Sequence, residues 1–239
     1  MSGMNALLVR VGADQSVAGG SWNGPVDSSS GSFAYVAIPE GRPVHSGLEK
    51  PYTGLLPTLD RFNVSLPPHL VGRHMHLDPD FERLTYGDAG QRAKQLRTAL
   101  GPGDMIVFYA GLRDTRGATE LVYAIIGLFE VDGFLPATEV RPQDRDMNAH
   151  SRRVLEPGAD DLIVCGRAGV SGRLKRCIDI GEYRNRAYRV RSSLLQEWGG
   201  LSNRDGYLQR SARLPRLVDS GSFLRWFEKQ HPVLVQANN

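Results

Sequence analysis

Cysteine is nearly absent: two residues in 239, Cys165 and Cys177, with no Cys-x-x-Cys spacing and no neighbouring histidine. That rules out a disulfide framework and a zinc finger, and leaves packed, reduced thiols as the expectation. No apolar run is long enough to cross a bilayer. The N-terminal stretch 6–11 is broken by Arg10 and falls far short of a signal-peptide core. No membrane partner is expected, and the cytoplasm is the default location. A Walker A sequence is missing as well, since no glycine-rich turn ends in Gly-Lys-Ser/Thr. A nucleotide triphosphatase is therefore disfavoured. There is no internal repeat and no low-complexity tract beyond the Ser/Gly stretch near residue 30.

What is present suffices for a core. Hydrophobic residues make up 41% of the chain, consistent with one elaborated α+β domain over residues 1–239. The net charge of +3 conceals an uneven distribution. Residues 165–216 carry twelve Lys/Arg against four acids, or +8, so the remainder carries −5. A basic segment on an acidic body suits a polyanion such as DNA, or is simply a solvated face.

The chain is organised around residues 101–131. A Gly-Pro-Gly-Asp turn opens a run of β-formers over 105–109, and a second run occupies 121–131, so the two read as adjacent antiparallel strands. Gly127 sits where a bulge or bend would curl a small sheet toward a barrel. Arg113 and Asp114 place opposite charges at the mouth of the first strand. Further strands are expected at 6–11, 33–38, 161–165, 174–180 and 188–190, and short helices at 90–100, from Ser192 or Ser193 to Trp198, and at 220–230. Prolines 43, 51, 57, 67 and 68 forbid long regular structure over 40–70.

Several clusters have chemical potential. Arg73-His74-Met75-His76-Leu77-Asp78-Pro79-Asp80 is the densest set of acid/base groups. If extended, it puts His74, His76 and Asp78 on one face, and a bend at Pro79 brings Asp80 toward them. Such groups hold a divalent metal or move protons, although equally they serve turns and caps. His150 precedes Arg152 and Arg153, which favour its neutral form. The turn at 166–173 offers backbone N–H groups, Ser171 and Arg173 to a phosphate, with Arg113, Arg152 and Arg210 as further candidates. Trp22, in a Gly/Ser/Asp-rich loop with Asn23 and Asp27, either plugs the barrel or stacks on a base. Alternation over 205–209 aligns Asp205, Tyr207 and Gln209 for reading a base edge, or for closing an internal polar network.

The pattern Gly103-Asp104, an apolar run ending in Phe108-Tyr109, a polar loop, then an apolar run with Gly127 resembles the PUA-like superfamily, which includes EVE, ASCH and YTH modules. That resemblance implies a mostly antiparallel β-barrel core with a few short helices and long loops, and a pocket for a modified base; Tyr109 is a further candidate for holding the base. More broadly, Leu7 to Gly12, Trp22-Asn23-Gly24-Pro25-Val26-Asp27, His76-Leu77-Asp78-Pro79-Asp80-Phe81, Ser171-Gly172-Arg173-Leu174 and Asp205 to Ser211 resemble the third family of nucleotide modification associated domains. This second likeness implies a place in DNA-modification or phage-conflict systems. Together they lead us to expect a protein that recognises or modifies a DNA base or nucleotide, with a non-catalytic reader and a metal-dependent phosphoesterase or nuclease as alternatives. The candidate catalytic residues are His76, Asp78, Asp80 and His150. Metal, cofactor and oligomeric state are left open.

Overall fold

The structure is a computed structural model that describes residues 3–209 and 211–239. In chain order the strands are β1 (Ala6–Arg10), β2 (Pro25–Asp27), β3 (Ser32–Phe33), β4 (Ile38–Pro39), β5 (Met75–His76), β6 (Thr85–Asp88), β7 (Met105–Asp114), β8 (Leu121–Pro136), β9 (Leu162–Gly166), β10 (Gly172–Asp179), β11 (Gly181–Arg184), β12 (Ala187–Val190) and β13 (Leu234–Val235). The helices are α1 (Leu56–Asp60), α2 (Gly90–Ala99), α3 (Ala149–Arg152), α4 (Ser192–Glu197) and α5 (Ser220–Lys229).

The fold is mixed α/β, a curled half-barrel sheet with a few short helices. Its main path runs β13-β10-β8-β7-β2-β3, with β1 added on β7 and β9 and β6 continuing from β8. The β7–β8 hairpin expected from the sequence is antiparallel, pairing Met105 with Glu130 through to Arg113 with Leu121. Its register shifts between Phe108 and Tyr109, opposite Gly127 and Ile125. Gly127 has a packing reason to be there: a Cβ at this position would stand 2.4 Å from the Phe81 ring and 2.8 Å from the Gly172 carbonyl oxygen. Two pairings are parallel, β1 with β7 and β2 with β7, and no local pattern announced them.

Both faces of the central strands are buried, so β1 and β7 read as continuous apolar runs. Leu7, Val9, Ile106 and Phe108 enter one core, with Tyr35, Phe81 and Phe129. Ala6, Leu8, Met105, Val107 and Tyr109 enter a second one on the other face, with Trp198 and the Phe223, Trp226 and Phe227 stripe of α5. Each fully buried large aliphatic or Phe side chain contributes roughly 1.5–3 kcal/mol. Asp219 caps α5, its carboxylate accepting from Ser222 N at 2.9 Å. No helix among the described residues is long and apolar enough to cross a membrane.

β8 bends at a register shift between Val131 and Gly133, beyond which its last residues pair with β9. β9 and β10 therefore lie end to end along β8 and do not form a hairpin with each other. β9 carries β6, whose Tyr86, Gly87 and Asp88 line the cleft described below. Two expectations fail locally. Residues 34–37 are buried but leave the ladder, because Tyr35 N donates to Asn239 Oδ1 (2.8 Å) and Tyr35 O accepts from Asn239 Nδ2 (3.0 Å). Residues 204–206 form a 3-10 turn with Asp205 at φ 56°, so the alternation that would align Asp205, Tyr207 and Gln209 does not exist.

Candidate functional site

Three short elements meet at a cleft of about 260 Å3, lined among others by Arg10, Asp14, His76, Asp78, Arg92 and His150. β5 supplies His76. Its register with β4 sets His76 opposite Ile38, and the next residue, Leu77, goes into the core. Asp78 follows at the head of a bend. α3 supplies His150 through a capping box in which Asn148 Oδ1 accepts from His150 N (2.8 Å) and Asn148 N donates to Ser151 Oγ (3.2 Å). The same Asn148 donates through Nδ2 to Asp78 Oδ1 (2.9 Å), so one side chain starts the helix and fixes the carboxylate. On β6, Gly87 donates its N–H to that oxygen too (2.8 Å). Here glycine is required by close approach, since a Cβ would fall 2.3 Å from His150 Cδ2.

Each imidazole is held from behind by a carboxylate. His76 Nδ1 lies 2.6 Å from Glu40 Oε2, and His150 Nδ1 lies 2.5 Å from Asp161 Oδ1. Arg153 reinforces both acids, donating to Glu40 from Nη2 (2.9 Å) and standing 3.7 Å from Asp161. Because a carboxylate accepts, Glu40 and Asp161 favour the proton on Nδ1 and the Nε2 lone pair toward the cleft, with Arg153 Nη2 also 3.1 Å from His76 Nδ1. His150 Nε2 is 3.9 Å from Asp78 Oδ2, and the two rings meet edge to face at 5.0 Å. One ligand-type atom from each of His76, Asp78 and His150 lies within 4.8 Å of the others.

Burial sets the electrostatics. It pushes the Asp78 carboxyl above its ordinary value, against the pull of the two imidazoles. It also pushes His76 down, offset in part by the bond to Glu40. Burial alone would raise Glu40; the His76 and Arg153 bonds outweigh it and bring it to about 2. Asp161 is lowered by its bond to His150. Around the centre, Arg10 pairs with Asp14 at 3.4 Å and Arg92 with Asp88 at 2.8 Å. The arrangement offers two imidazole nitrogens and a carboxylate oxygen to whatever enters, enough to take up a proton or hold a cation.

The family model for nucleotide modification associated domain 3 matches residues 5–221. The chain belongs to that family. No curated protein and no solved structure is similar to it at a significant level. In this nucleotide modification associated domain the matched span contains the whole cleft, while Asn238 and Asn239 lie beyond it.

Three of the four candidate catalytic residues converge in this member of the family. Asp80 turns away and pairs with buried Arg152 at 2.6 Å, and its other oxygen accepts from Asn238 Nδ2 (3.0 Å). Arg152 is thereby committed under the cleft. His74, expected on the same face, is exposed. Tyr109 and Gln209 line a cavity of about 40 Å3 that shares Arg10 and Arg92 with the cleft, and Tyr109 Oη donates to Leu208 O (2.8 Å). The remaining base-reading candidates lie elsewhere. Trp22 packs on the cluster around Tyr52 and Leu70, and Asn23 donates to Gly111 O (2.7 Å). Asp27 caps the Ser28–Ser30 turn, which holds its carboxyl down at about 2. Asp205 pairs with Arg184, and Tyr207 lies under Arg189.

The phosphate candidates are also dispersed. Arg113 donates to Thr119 O (2.7 Å), Ser171 Oγ accepts from Glu130 N (3.0 Å), and Arg173 bonds Ala237 O and Leu174 O over the Phe33 ring. Arg210 lies outside the described residues. A larger hollow of about 770 Å3, between residues 28–31, 175–179 and 230–233, is lined by Lys175, Arg176, Cys177, Asp179 and His231, but among the described residues it is His76, Asp78 and His150 whose ligand-type atoms converge, and the chemistry points to the smaller one. Glu40 and Asp161 were invisible in the sequence as partners, being 36 and 11 residues from the histidines they hold. Only the Asn148-to-Ser151 capping signature could have anchored His150 in advance.

Proposed function

We propose that this protein is an enzyme of nucleotide modification, and that the reacting group of a nucleotide, free or within DNA, enters the cleft over His76, Asp78 and His150. One observation carries the reading: all three side chains are oriented from behind while each keeps an atom free toward the cleft. Structural polar clusters generally spend both ends of each group internally. Family membership supplies the nucleotide context. At about 260 Å3 the cleft is smaller than the roughly 300–1,000 Å3 of ordinary small-molecule sites, so it suits one part of a larger ligand. In this reading His150 Nε2 accepts a proton and Asp78, whose carboxyl burial keeps easy to protonate, returns one. Kinship of the curled sheet with PUA-like barrels, binding of DNA through part of the basic segment, and a role in cytoplasmic DNA modification or phage defence belong to the same proposal.

The test is incubation of the full chain with free nucleotides and with plain and base-modified DNA, followed by mass analysis of products. A product that disappears in His150→Ala and in Asp78→Asn supports the enzyme. Binding of the same ligands without product would make the protein a reader of modified bases and overturn it. Strand scission would redirect the reading to a nuclease.

A further inference from the structure

We infer that His76, His150 and Asp78 form a binding site for one divalent transition-metal ion, with Zn2+, Fe2+, Co2+ and Mn2+ as the class it accepts. The ligands would be Nε2 of both histidines and Oδ2 of Asp78. It concerns the same cleft as the reading above but gives these atoms another role, since a coordinated Nε2 has no lone pair left to accept a proton; it stands on its own observations and its test does not pass through activity.

The first observation is convergence. Ligands about 2.0–2.2 Å from a tetrahedral ion stand roughly 3.4 Å apart. Here His150 Nε2 and Asp78 Oδ2 are 3.9 Å apart and the whole set lies within 4.8 Å, so shifts of well under an ångström per side chain close it.

The second is the outer shell. Metal-bound histidines donate their other ring N–H to a carboxylate or carbonyl, and bound carboxylates are themselves hydrogen-bonded. All three residues have such partners: Glu40 for His76, Asp161 for His150, and Gly87 N with Asn148 Nδ2 for Asp78. Both donors on Asp78 use Oδ1, which leaves Oδ2 as the single coordinating atom.

The third is charge. Asp14, Glu40, Asp78, Asp88 and Asp161 line or back the cleft against Arg10, Arg92 and Arg153. Apart from the exposed Arg42 near Asp161, the acids at and behind the cleft outnumber the guanidiniums five to three. Glu40 and Asp161 share Arg153, and Asp78 faces only imidazoles and amide donors. A doubly charged ion removes that imbalance, and burial without a partner is otherwise costly.

Two nitrogen donors among three select a borderline transition metal over Mg2+ or Ca2+, which prefer oxygen. Three protein ligands on one side leave coordination positions open toward the cleft for water or a substrate oxygen.

The experiment measures metal uptake by the full chain after chelator treatment and dialysis. Titrations use Zn2+, Mn2+ and Mg2+ by calorimetry and Co2+ by its visible absorption, with far-UV circular dichroism to confirm folding. The expected result is about one Zn2+ or Co2+ per chain and no saturable Mg2+ binding. Uptake disappears in His76→Ala and His150→Ala. It weakens about 10- to 100-fold in Glu40→Gln and Asp161→Asn, the change expected for outer-shell partners. It is unchanged in His74→Ala and Cys165→Ser. Absence of uptake by the folded wild-type chain, or uptake indifferent to the His76 and His150 changes, overturns the metal site and leaves the acid–base reading of the cleft standing.

Discussion

The cleft and the basic segment over 165–216 both concentrate ionisable side chains, and they use them in opposite ways. In the basic segment several of the charges are bound to their neighbours. Arg184 binds Glu182 and Asp205, Arg191 binds Asp179, Arg167 binds Glu130, and buried Arg173 donates to carbonyl oxygens. In the cleft the backs of His76, Asp78 and His150 are satisfied and their fronts are not. A count of charges along the chain thus overstates what the first region can offer a ligand. It also misses the second, whose acids and cations lie far apart in sequence. Function follows from where a polar atom is left free, not from how many are nearby.

The sharpest way to test that contrast is to remove one member of a pair in each region. Asp80→Ala removes the shorter of the two ion pairs of buried Arg152 and leaves it Asp146, at 3.2 Å, the Asp80 and Arg152 side chains both being 3% exposed. It should cost about 3–5 kcal/mol in urea unfolding. Replacing both, Asp80→Leu with Arg152→Met, should recover most of that loss. A cost below about 1 kcal/mol for the single change would put this pair in the same class as the surface pairs.

Next in size is Gly87→Ala. Its Cβ would meet His150 Cδ2 at 2.3 Å and Asn148 Oδ1 at 2.7 Å. Overpacking of this kind costs about 1–3 kcal/mol. The larger effect should be on the site, seen as displaced His150 ring resonances in NMR and lost ligand or metal binding. Unaltered His150 resonances would contradict the tight fit.

A smaller effect is expected from acid. Burial raises the carboxyl of Asp146, but Lys50, Arg152 and Arg83 outweigh it and hold it below the ordinary 3.8. Because the folded value lies below the unfolded one, the stabilisation is present above 3.8 and is lost as pH falls through the folded value. Urea midpoints measured down through that range should fall, and Asp146→Asn should shrink the fall. An unchanged acid profile in the variant would remove Asp146 from the account.

The smallest effect is expected in the basic segment. Asp205, fully exposed and lowered chiefly by its bond to Arg184, is a surface partner. Asp205→Ala should leave Tm within measurement error, as exposed pairs generally do. A clear drop would mean that this turn bears structure the comparison assigns to the cleft.

Much of the scaffold is legible in the chain itself. Residues 105–109 and 121–131 pair as expected because their β-formers and flanking turns are local signals, and α2 and α5 follow from the spacing of their apolar residues, although Asp219 and not a serine caps α5. The strand expected at 33–38 fails because Asn239, more than two hundred residues away, takes the Tyr35 backbone bonds. For the site, His76, Asp78 and His150 stand out as residue types, yet nothing local separates Asp78 from Asp80. The first turns to the histidines and the second to Arg152.

What the amino-acid order determined by itself was part of the set of elements: β1, β7 to β10, β12, α2, α4 and α5. Only the tertiary structure decided which end of each polar side chain is bound and which is free. The reason is that Glu40, Gly87, Asn148 and Asp161 reach the histidines and Asp78 across sequence gaps that no helical or strand periodicity spans. Packing of β4, β5, β6 and α3 is what brings them within hydrogen-bond range.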